Sequence, residues 1–299
     1  MKPVPAKNSG RFTRFRDRIL IFGNMIKFSH TVFALPFALS ATILAHEKQA
    51  VTLSGFFWIL IAMVGARSSA MGFNRIVDAE SDADNPRTAG REIPSGKITK
   101  GAAIGFVILF SFVFILASAM LGELCFYLSF PVLSILLLYS YAKRFTWLCH
   151  LYLGFAISLA PLGAWIAVTG SFSYRICLLS LGLMFYITGF DILYACQDVD
   201  FDIKSGLFSI PAYLGIEKAL FAAKIFHIFS FVSFLLLYVV FNLNVIYLVT
   251  VFIIALLFIL EHKLLNPNDL SKINIAFFHM NSIISIVLFI GIFADRLIR

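Results

Sequence analysis

The sequence predicts an all-α membrane protein, with nine transmembrane helices in a bundle around one cytoplasm-facing cavity. Three observations predict it. Long apolar runs recur along a chain that is 60% hydrophobic, with a mean hydropathy of +0.92. Tight turns alternate with long polar connections that hold most of the Lys and Arg. Two matched aspartate clusters interrupt a chain of which only 13% is charged. The strands of a membrane β-barrel would alternate polar and apolar residues, and these runs do not.

The apolar runs place spans at 20–45, 53–77, 101–121, 124–142, 149–169, 174–197, 218–241, 244–261 and 274–294. Gly122-Glu123, Gly170-Ser171 and Asn242-Leu243-Asn244 make tight turns. The connections 78–100, 143–148, 198–217 and 262–273 are longer and polar. Residues 1–299 read as one domain, led by a basic segment at 1–18. That segment leads into a long apolar run with no cleavage site, so it reads as the start of a retained first helix.

Charge sets the orientation. Lys2, Lys7, Arg11, Arg14, Arg16 and Arg18 face a single acid, Asp17. Arg87, Arg91, Lys97, Lys100, Lys143, Arg144, Lys204, Lys263 and Lys272 fill the long connections, and the tight turns hold almost none. Cations stay on the cytoplasmic side, which puts the N-terminus and the long loops there. This is the pattern of a multi-pass protein of the inner (plasma) membrane. The net charge of +8 then reflects topology and attraction to anionic lipid, not nucleic-acid binding. Cys125, Cys149, Cys177 and Cys196 show no metal or redox spacing, and His30, His150, His227, His262 and His279 form no metal pattern. Nothing signals an obligatory protein partner.

The first acidic cluster reads Asn74-Arg-Ile-Val-Asp78-Ala-Glu-Ser-Asp82. The second reads Asp191-Ile-Leu-Tyr194-Ala-Cys-Gln-Asp198-Val-Asp-Phe-Asp202. Asn74, Asp78 and Asp82 fall at i, i+4 and i+8, one face of a helix. Asp191, Asp198 and Asp202 fall at i, i+7 and i+11, again one stripe, with Tyr194 on it. Pro86 ends or bends the first of these helices. Each cluster begins at the cytoplasmic end of an even-numbered span. A charge at the bilayer centre costs about 2.5–3.5 kcal/mol and less near the interface, so converging acids need neutralising. Solvated loops would not need two copies in register.

Hard oxygen ligands of this kind suit Mg²⁺, which takes one or two carboxylates and completes its shell with water and phosphate. Arg87, Arg91, Lys143, Arg144 and Lys204 are placed to help grip a pyrophosphate, whose departure metals and cations stabilise. No Walker motif is present. Arg91-x2-Pro94-Ser95-Gly96 and Lys204-Ser205-Gly206 close the two acidic segments in similar turns, which suggests a weak internal repeat of two halves facing one cavity. Tyr139, Tyr141 and Tyr194 are candidates to steady a carbocation.

Asn74-x3-Asp78-x3-Asp82-x4-Arg87-Thr88-x2-Arg91-x2-Pro94-Ser95-Gly96 resembles the first signature of the UbiA-type intramembrane aromatic prenyltransferases. Asp191-x2-Tyr194-Ala195-x2-Asp198-x3-Asp202-x-Lys204-x-Gly206 resembles the second, and Tyr139-x3-Lys143-Arg144-x-Thr146 resembles the stretch after the fourth helix. The likeness covers nearly the whole chain and is nearest the branch that prenylates 4-hydroxybenzoate. Arg75, where many members have Asp, and the segment Lys27-Phe-Ser-His30-Thr31 depart from the pattern.

The resemblance implies two Mg²⁺ ions, one held by Asn74, Asp78 and Asp82 and the other by Asp198 and Asp202. It implies binding of a polyprenyl pyrophosphate and an aromatic acid in the lipid bilayer. The prenyl group would pass to the carbon ortho to the hydroxyl of 4-hydroxybenzoate, for ubiquinone-type quinones, or to another aromatic acid for menaquinone. Asp78, Asp198 and Asp191 would be catalytic, with Asp191 orienting the ring or taking its proton. An ion-coupled transporter is the competing class, but its acids would sit at the midplane, not at one membrane face.

The topology is testable. In a chain lacking its native cysteines, single cysteines at Ser81 and Ser205 will react with an impermeant reagent only from the cytoplasmic side. Labelling of either from outside overturns the orientation.

Overall fold

Apolar side chains face outward over most of the molecule. Ile108, Phe112, Phe221, Val249 and Phe252 are all more than half exposed, as lipid-facing residues are. The structure, a computed structural model, describes residues 20–27, 33–267, 269–273 and 275–298, without the side chains of 275–277. The basic segment 1–18, Arg299 and much of the stretch around His30 lie outside the described residues.

The described chain is helical, with one isolated bridge between Asn266 and Asp269. Its helices are α1 (Leu35–His46), α2 (Leu53–Val77), α3 (Ala79–Asp84), α4 (Lys100–Leu121), α5 (Glu123–Leu138) and α6 (Cys149–Thr169). Then follow α7 (Cys177–Ala195), α8 (Val199–Lys204), α9 (Ile210–Leu214), α10 (Ile216–Val240), α11 (Val245–Leu264) and α12 (Asn281–Leu297). Eight helical segments of the described chain are long and apolar enough to cross a bilayer, and α1 is a shorter apolar ninth. The protein is a polytopic helical membrane protein.

The first predicted span, 20–45, needs correction. Helix occupies 20–25 and ends in a turn where Lys27 takes a positive φ of 49°, and α1 starts afresh at Leu35 with Pro36 in its first turn. Twelve residues reach about 18 Å, short of the roughly 30 Å hydrocarbon core. The broken segment leaves carbonyls that lipid cannot satisfy. Two arginines of α2 satisfy them: Arg75 Nε donates to Met25 O at 3.0 Å, and Arg67 Nη2 to Lys27 O at 3.0 Å. Arg75, odd in the sequence, is thus a structural donor and is buried.

The two acidic motifs share one construction. A long helix reaches the motif and breaks, and a six-residue helix follows: α2 then α3, α7 then α8. The first break falls at Asp78, ahead of the end at Asp84 that Pro86 imposes through an extended Asn85, although Asp78 N–H still bonds Asn74 O at 2.9 Å and Asp82 N–H bonds Asp78 O at 2.7 Å. The second passes through a 3₁₀ turn at Cys196–Asp198. Each motif then turns on a glycine in the left-handed region, Gly96 (φ 73°) and Gly206 (φ 65°), where a side chain would be strained.

A large apolar core binds α1, α6, α7, α10, α11 and α12 through Phe37, Trp165, Tyr186, Phe234, Tyr247 and Leu288. A buried polar seam crosses it. His227 pairs with His262 at 3.0 Å, Asn281 donates to Glu261 at 3.1 Å, and Tyr186 OH donates to Asn281 O at 2.7 Å. Lipid gives helices no hydrophobic drive to associate, so small residues let them approach. A Cβ on Gly65 of α2 would lie 2.8 Å from the Phe114 backbone nitrogen of α4. One on Gly154 of α6 would meet the Met184 carbonyl and Thr188 Oγ1 of α7. Gly154→Val should therefore splay α6 from α7 at a cost of about 1–3 kcal/mol. The check is a thermal melt in detergent: a Tm several degrees lower is expected, and an unchanged Tm refutes the close contact.

Candidate active site

The breaks in α2 and α7 bring the two motifs to one end of the bundle, where they line a polar cavity of about 190 Å³. Asp78, Asp82, Asp191, Asp198 and Asp202 line it, against Arg87, Arg91 and Lys143. Five carboxylates and three cations leave a formal excess of two negative charges. The acids are held by cations from other segments. Lys143 Nζ lies 2.9 Å from Asp78 Oδ2, and Arg91 Nη1 lies 2.7 Å from both Asp82 oxygens. Arg87 grips Asp198 with two nitrogens, at 2.8 and 2.6 Å, and joins the first motif to the second. Burial lowers the Arg87 pKa, but the bond to Asp198 together with the charge interactions with Tyr194, Asp198 and Asp82 outweighs it, and the guanidinium ends above its ordinary value.

Further bonds set the rest. Asn74 Nδ2 donates to Asp78 Oδ2 at 3.1 Å, and Ser209 Oγ donates to Asp202 Oδ2 at 2.8 Å. Arg87 also donates to Tyr194 OH at 3.1 Å and lies over its ring. The loop before α9 is tied to the 3₁₀ turn Tyr139–Arg144 by Phe208 N–H to Lys143 O at 2.7 Å.

Ten of the twelve residues given metal-binding, substrate-binding or catalytic roles from the sequence line this cavity, Asn74, Asp78, Asp82, Arg87, Arg91, Lys143, Asp191, Tyr194, Asp198 and Asp202, as does the candidate Tyr139. Two do not. Lys204 is exposed on α8. Arg144 donates to Val77 O at 2.7 Å, at the break in α2, and stands 3.8 Å from Asp78 Oδ1 over the Tyr141 ring. Sequence reasoning passed over several others. Asn85 donates to Asp198 at 3.3 Å, and His150 pairs with Asp191 at 2.7 Å. Arg67 lines a second cavity; a cation inside an apolar span was its signal in the sequence.

That second cavity, about 390 Å³, is lined almost entirely by apolar side chains of α2, α4, α5 and α6. It adjoins the polar one, sharing the walls of Tyr139 and Leu153. An anionic site against an oily chamber suits a molecule with a polar head and a long hydrocarbon tail.

The family profile that matches spans residues 34–283, and it is that of the UbiA prenyltransferase family. The chain belongs to the UbiA prenyltransferase family. It is a prenyltransferase. Among its relatives is the 4-hydroxybenzoate octaprenyltransferase of Vibrio campbellii, 28% identical over 226 residues, which are 76% of this chain and 79% of that one. The enzyme of the same name from Alcanivorax borkumensis is 32% identical over 158 residues, 52% of this chain and 53% of that one. The solved apo structure of a UbiA homolog from Aeropyrum pernix K1 is 31% identical and has a TM-score of 0.81 over 89% of this chain and 98% of that one. A UbiA homolog from Archaeoglobus fulgidus, solved with DMAPP and Mg²⁺, shares the fold at 17% identity and a TM-score of 0.74, over 93% of this chain and 99% of that one.

The donor set fits Mg²⁺. Asn74, Asp78, Asp82, Asp198 and Asp202 all carry hard oxygen donors and line one cavity, and Asp78 Oδ1 is buried with no hydrogen bond among the described residues. A polyanionic pyrophosphate would also be repelled by a cavity that already carries excess negative charge. Among the described residues no three acids or imidazoles converge on one point, because cations hold them apart. Excess chelator should stop turnover and Mg²⁺ should restore it, with Ca²⁺ a poor substitute. Asp78→Asn or Asp198→Asn should cost about 100-fold or more in kcat while the protein still inserts. Full activity in chelator, or near-normal turnover by either variant, contradicts the metal role.

Proposed function

We propose that the protein transfers a polyprenyl group from polyprenyl pyrophosphate to the ring carbon ortho to the hydroxyl of 4-hydroxybenzoate, with Mg²⁺, in quinone biosynthesis. One observation carries the reading: the acid-lined cavity adjoins an apolar chamber across Tyr139 and Leu153. A pyrophosphate head and a prenyl tail need that juxtaposition, and a transporter does not. Each buried CH₂ of the tail contributes about 0.8 kcal/mol to partitioning. The printed names of the relatives support the acceptor. The charge of the loops supports an inner-membrane location with the site on the cytoplasmic side.

Asn74, Asp78 and Asp82 would hold one Mg²⁺, and Asp198 and Asp202 the other. The bound ions supply charge neutralisation of the departing pyrophosphate. Arg87, Arg91 and Lys143, already lining the cavity, donate to its oxygens. Loss of pyrophosphate leaves an allylic cation, which the Tyr139 and Tyr194 rings can steady. The phenol-activated ring attacks it, and Asp191 takes the proton. The acids and their metals exclude the acceptor's carboxylate from the polar cavity. Arg67, facing the apolar chamber with its Nε buried and, among the described residues, without a hydrogen bond, is a cation placed for that carboxylate. Arg144 acts one step back, holding the α2 break.

The test is purified protein with geranyl pyrophosphate and a panel of aromatic acids, read by mass spectrometry. Prenylated 4-hydroxybenzoate is expected, with none from benzoate, whose ring is not activated. Arg67→Met should raise the KM for the acid about tenfold or more, since a charged hydrogen bond contributes roughly 1.5–3 kcal/mol. A larger aromatic acid prenylated while 4-hydroxybenzoate is untouched refutes the acceptor.

A further inference from the structure

His150 stands in the first turn of α6 and is buried, yet its ring makes two polar contacts. Its Nδ1 lies 2.7 Å from Asp191 Oδ2. Its Nε2 accepts from the Ile210 backbone N–H at 3.3 Å. A ring nitrogen that accepts carries no proton, so the Ile210 N–H leaves Nδ1 as the protonated nitrogen, donating to Asp191. Asp191 is half-buried and lines the polar cavity. His150 occupies one of its oxygens, and the other makes no hydrogen bond among the described residues.

The frame around His150 is stiff. Thr188 Oγ1 of α7 donates to His150 O at 3.4 Å, four residues from the close approach at Gly154. The adjacent residue to Ile210, Ser209, binds Asp202 and also caps α9 through Ala212 N–H at 3.2 Å. The start of α9 therefore sets two carboxylates of the cavity at once, Asp202 directly and Asp191 through the imidazole.

We propose that His150 is a positioning residue for the transfer: its Nδ1–H, oriented by the Ile210 amide, holds Asp191 with its free oxygen toward the acceptor's phenol. This rests on the reading above, in which Asp191 takes the acceptor's proton. The phenol proton passes to Asp191 as the carbon–carbon bond forms and pyrophosphate leaves, and the hydrogen on the attacked ring carbon then moves to the phenol oxygen to restore the aromatic ring, so the transfer needs no other reactant. Docking of α9 is thereby tied to the geometry of the base. A misplaced base slows the chemical step and leaves the pyrophosphate contacts, made by Arg87, Arg91 and Lys143, in place.

The experiment uses the purified full chain with geranyl pyrophosphate and 4-hydroxybenzoate. His150→Phe is expected to lower kcat about tenfold or more, since a positioned base contributes roughly 10²–10⁴. Its KM for geranyl pyrophosphate should stay within about threefold of normal. His150→Asn, whose amide nitrogen takes the place of Nδ1, should recover most of the loss. Asp191→Asn and the double variant with His150→Phe should be equally slow, because the imidazole acts through the carboxylate. A ¹⁵N-histidine spectrum should report the Nδ1–H tautomer for the His150 signal, independent of turnover. The proposal is overturned by an Nε2–H tautomer, by His150→Asn as slow as His150→Phe, or by losses that multiply in the double variant. Asp191→Asn at normal kcat refutes the role of Asp191 as base and this proposal with it. A slow Asp191→Asn with multiplying losses refutes the positioning role alone.

Discussion

Carboxylates gathered at the end of a lipid-embedded bundle repel one another, and the cations that hold them apart determine how the molecule closes. Asp78 is gripped from the turn after α5, Asp82 from the loop after α3, and Asp198 from that same loop across the bundle. The Arg87–Asp198 pair links residues more than a hundred positions apart. The carboxylates are buried or half-buried while their cations reach out toward solvent, so losing a cation leaves a poorly solvated charge stranded. The pairs therefore act as struts. They also fall two cations short of neutrality, a shortfall of the kind that a divalent metal offsets.

Helix breaks serve the same end. A straight α2 would carry Asp78 and Asp82 past the bundle; the break at Asp78 turns α3 and its loop over the cavity. The equivalent break after α7 does so for Asp202. Broken helices in a membrane expose backbone groups, and the chain satisfies them with arginines. Arg75 and Arg67 reach Met25 and Lys27, and Arg144 reaches Val77. Cations that a charge count assigns to topology thus have structural work as well, and Arg67 adds a free donor in the apolar chamber.

Function follows from two dielectric environments meeting at one wall. In the proposed reaction the polar cavity would stabilise departing negative charge, and the apolar chamber would take hydrocarbon and exclude the water that quenches an allylic cation. Tyr139 faces both. Membership of the UbiA prenyltransferase family agrees with this division of labour.

The sequence by itself determined the membrane class, most span boundaries to within a few residues, and ten of the residues that line the cavity. Apolar runs and i, i+4 spacing are local properties, and backbone geometry converts them directly into faces and lengths. Tertiary structure decided what local pattern cannot carry. The first span is broken because Lys27 turns and α2 arginines accept the consequence. Arg144 and Lys204, alike in sequence to Arg91 and Lys143, fall outside the cavity because of where their turns point. His150, part of no metal pattern in the sequence, gains its role only when folding sets Asp191 on one side of its ring and the Ile210 amide on the other. Which partner a side chain meets depends on contacts between segments far apart in the chain, and those exist only once the helices have packed.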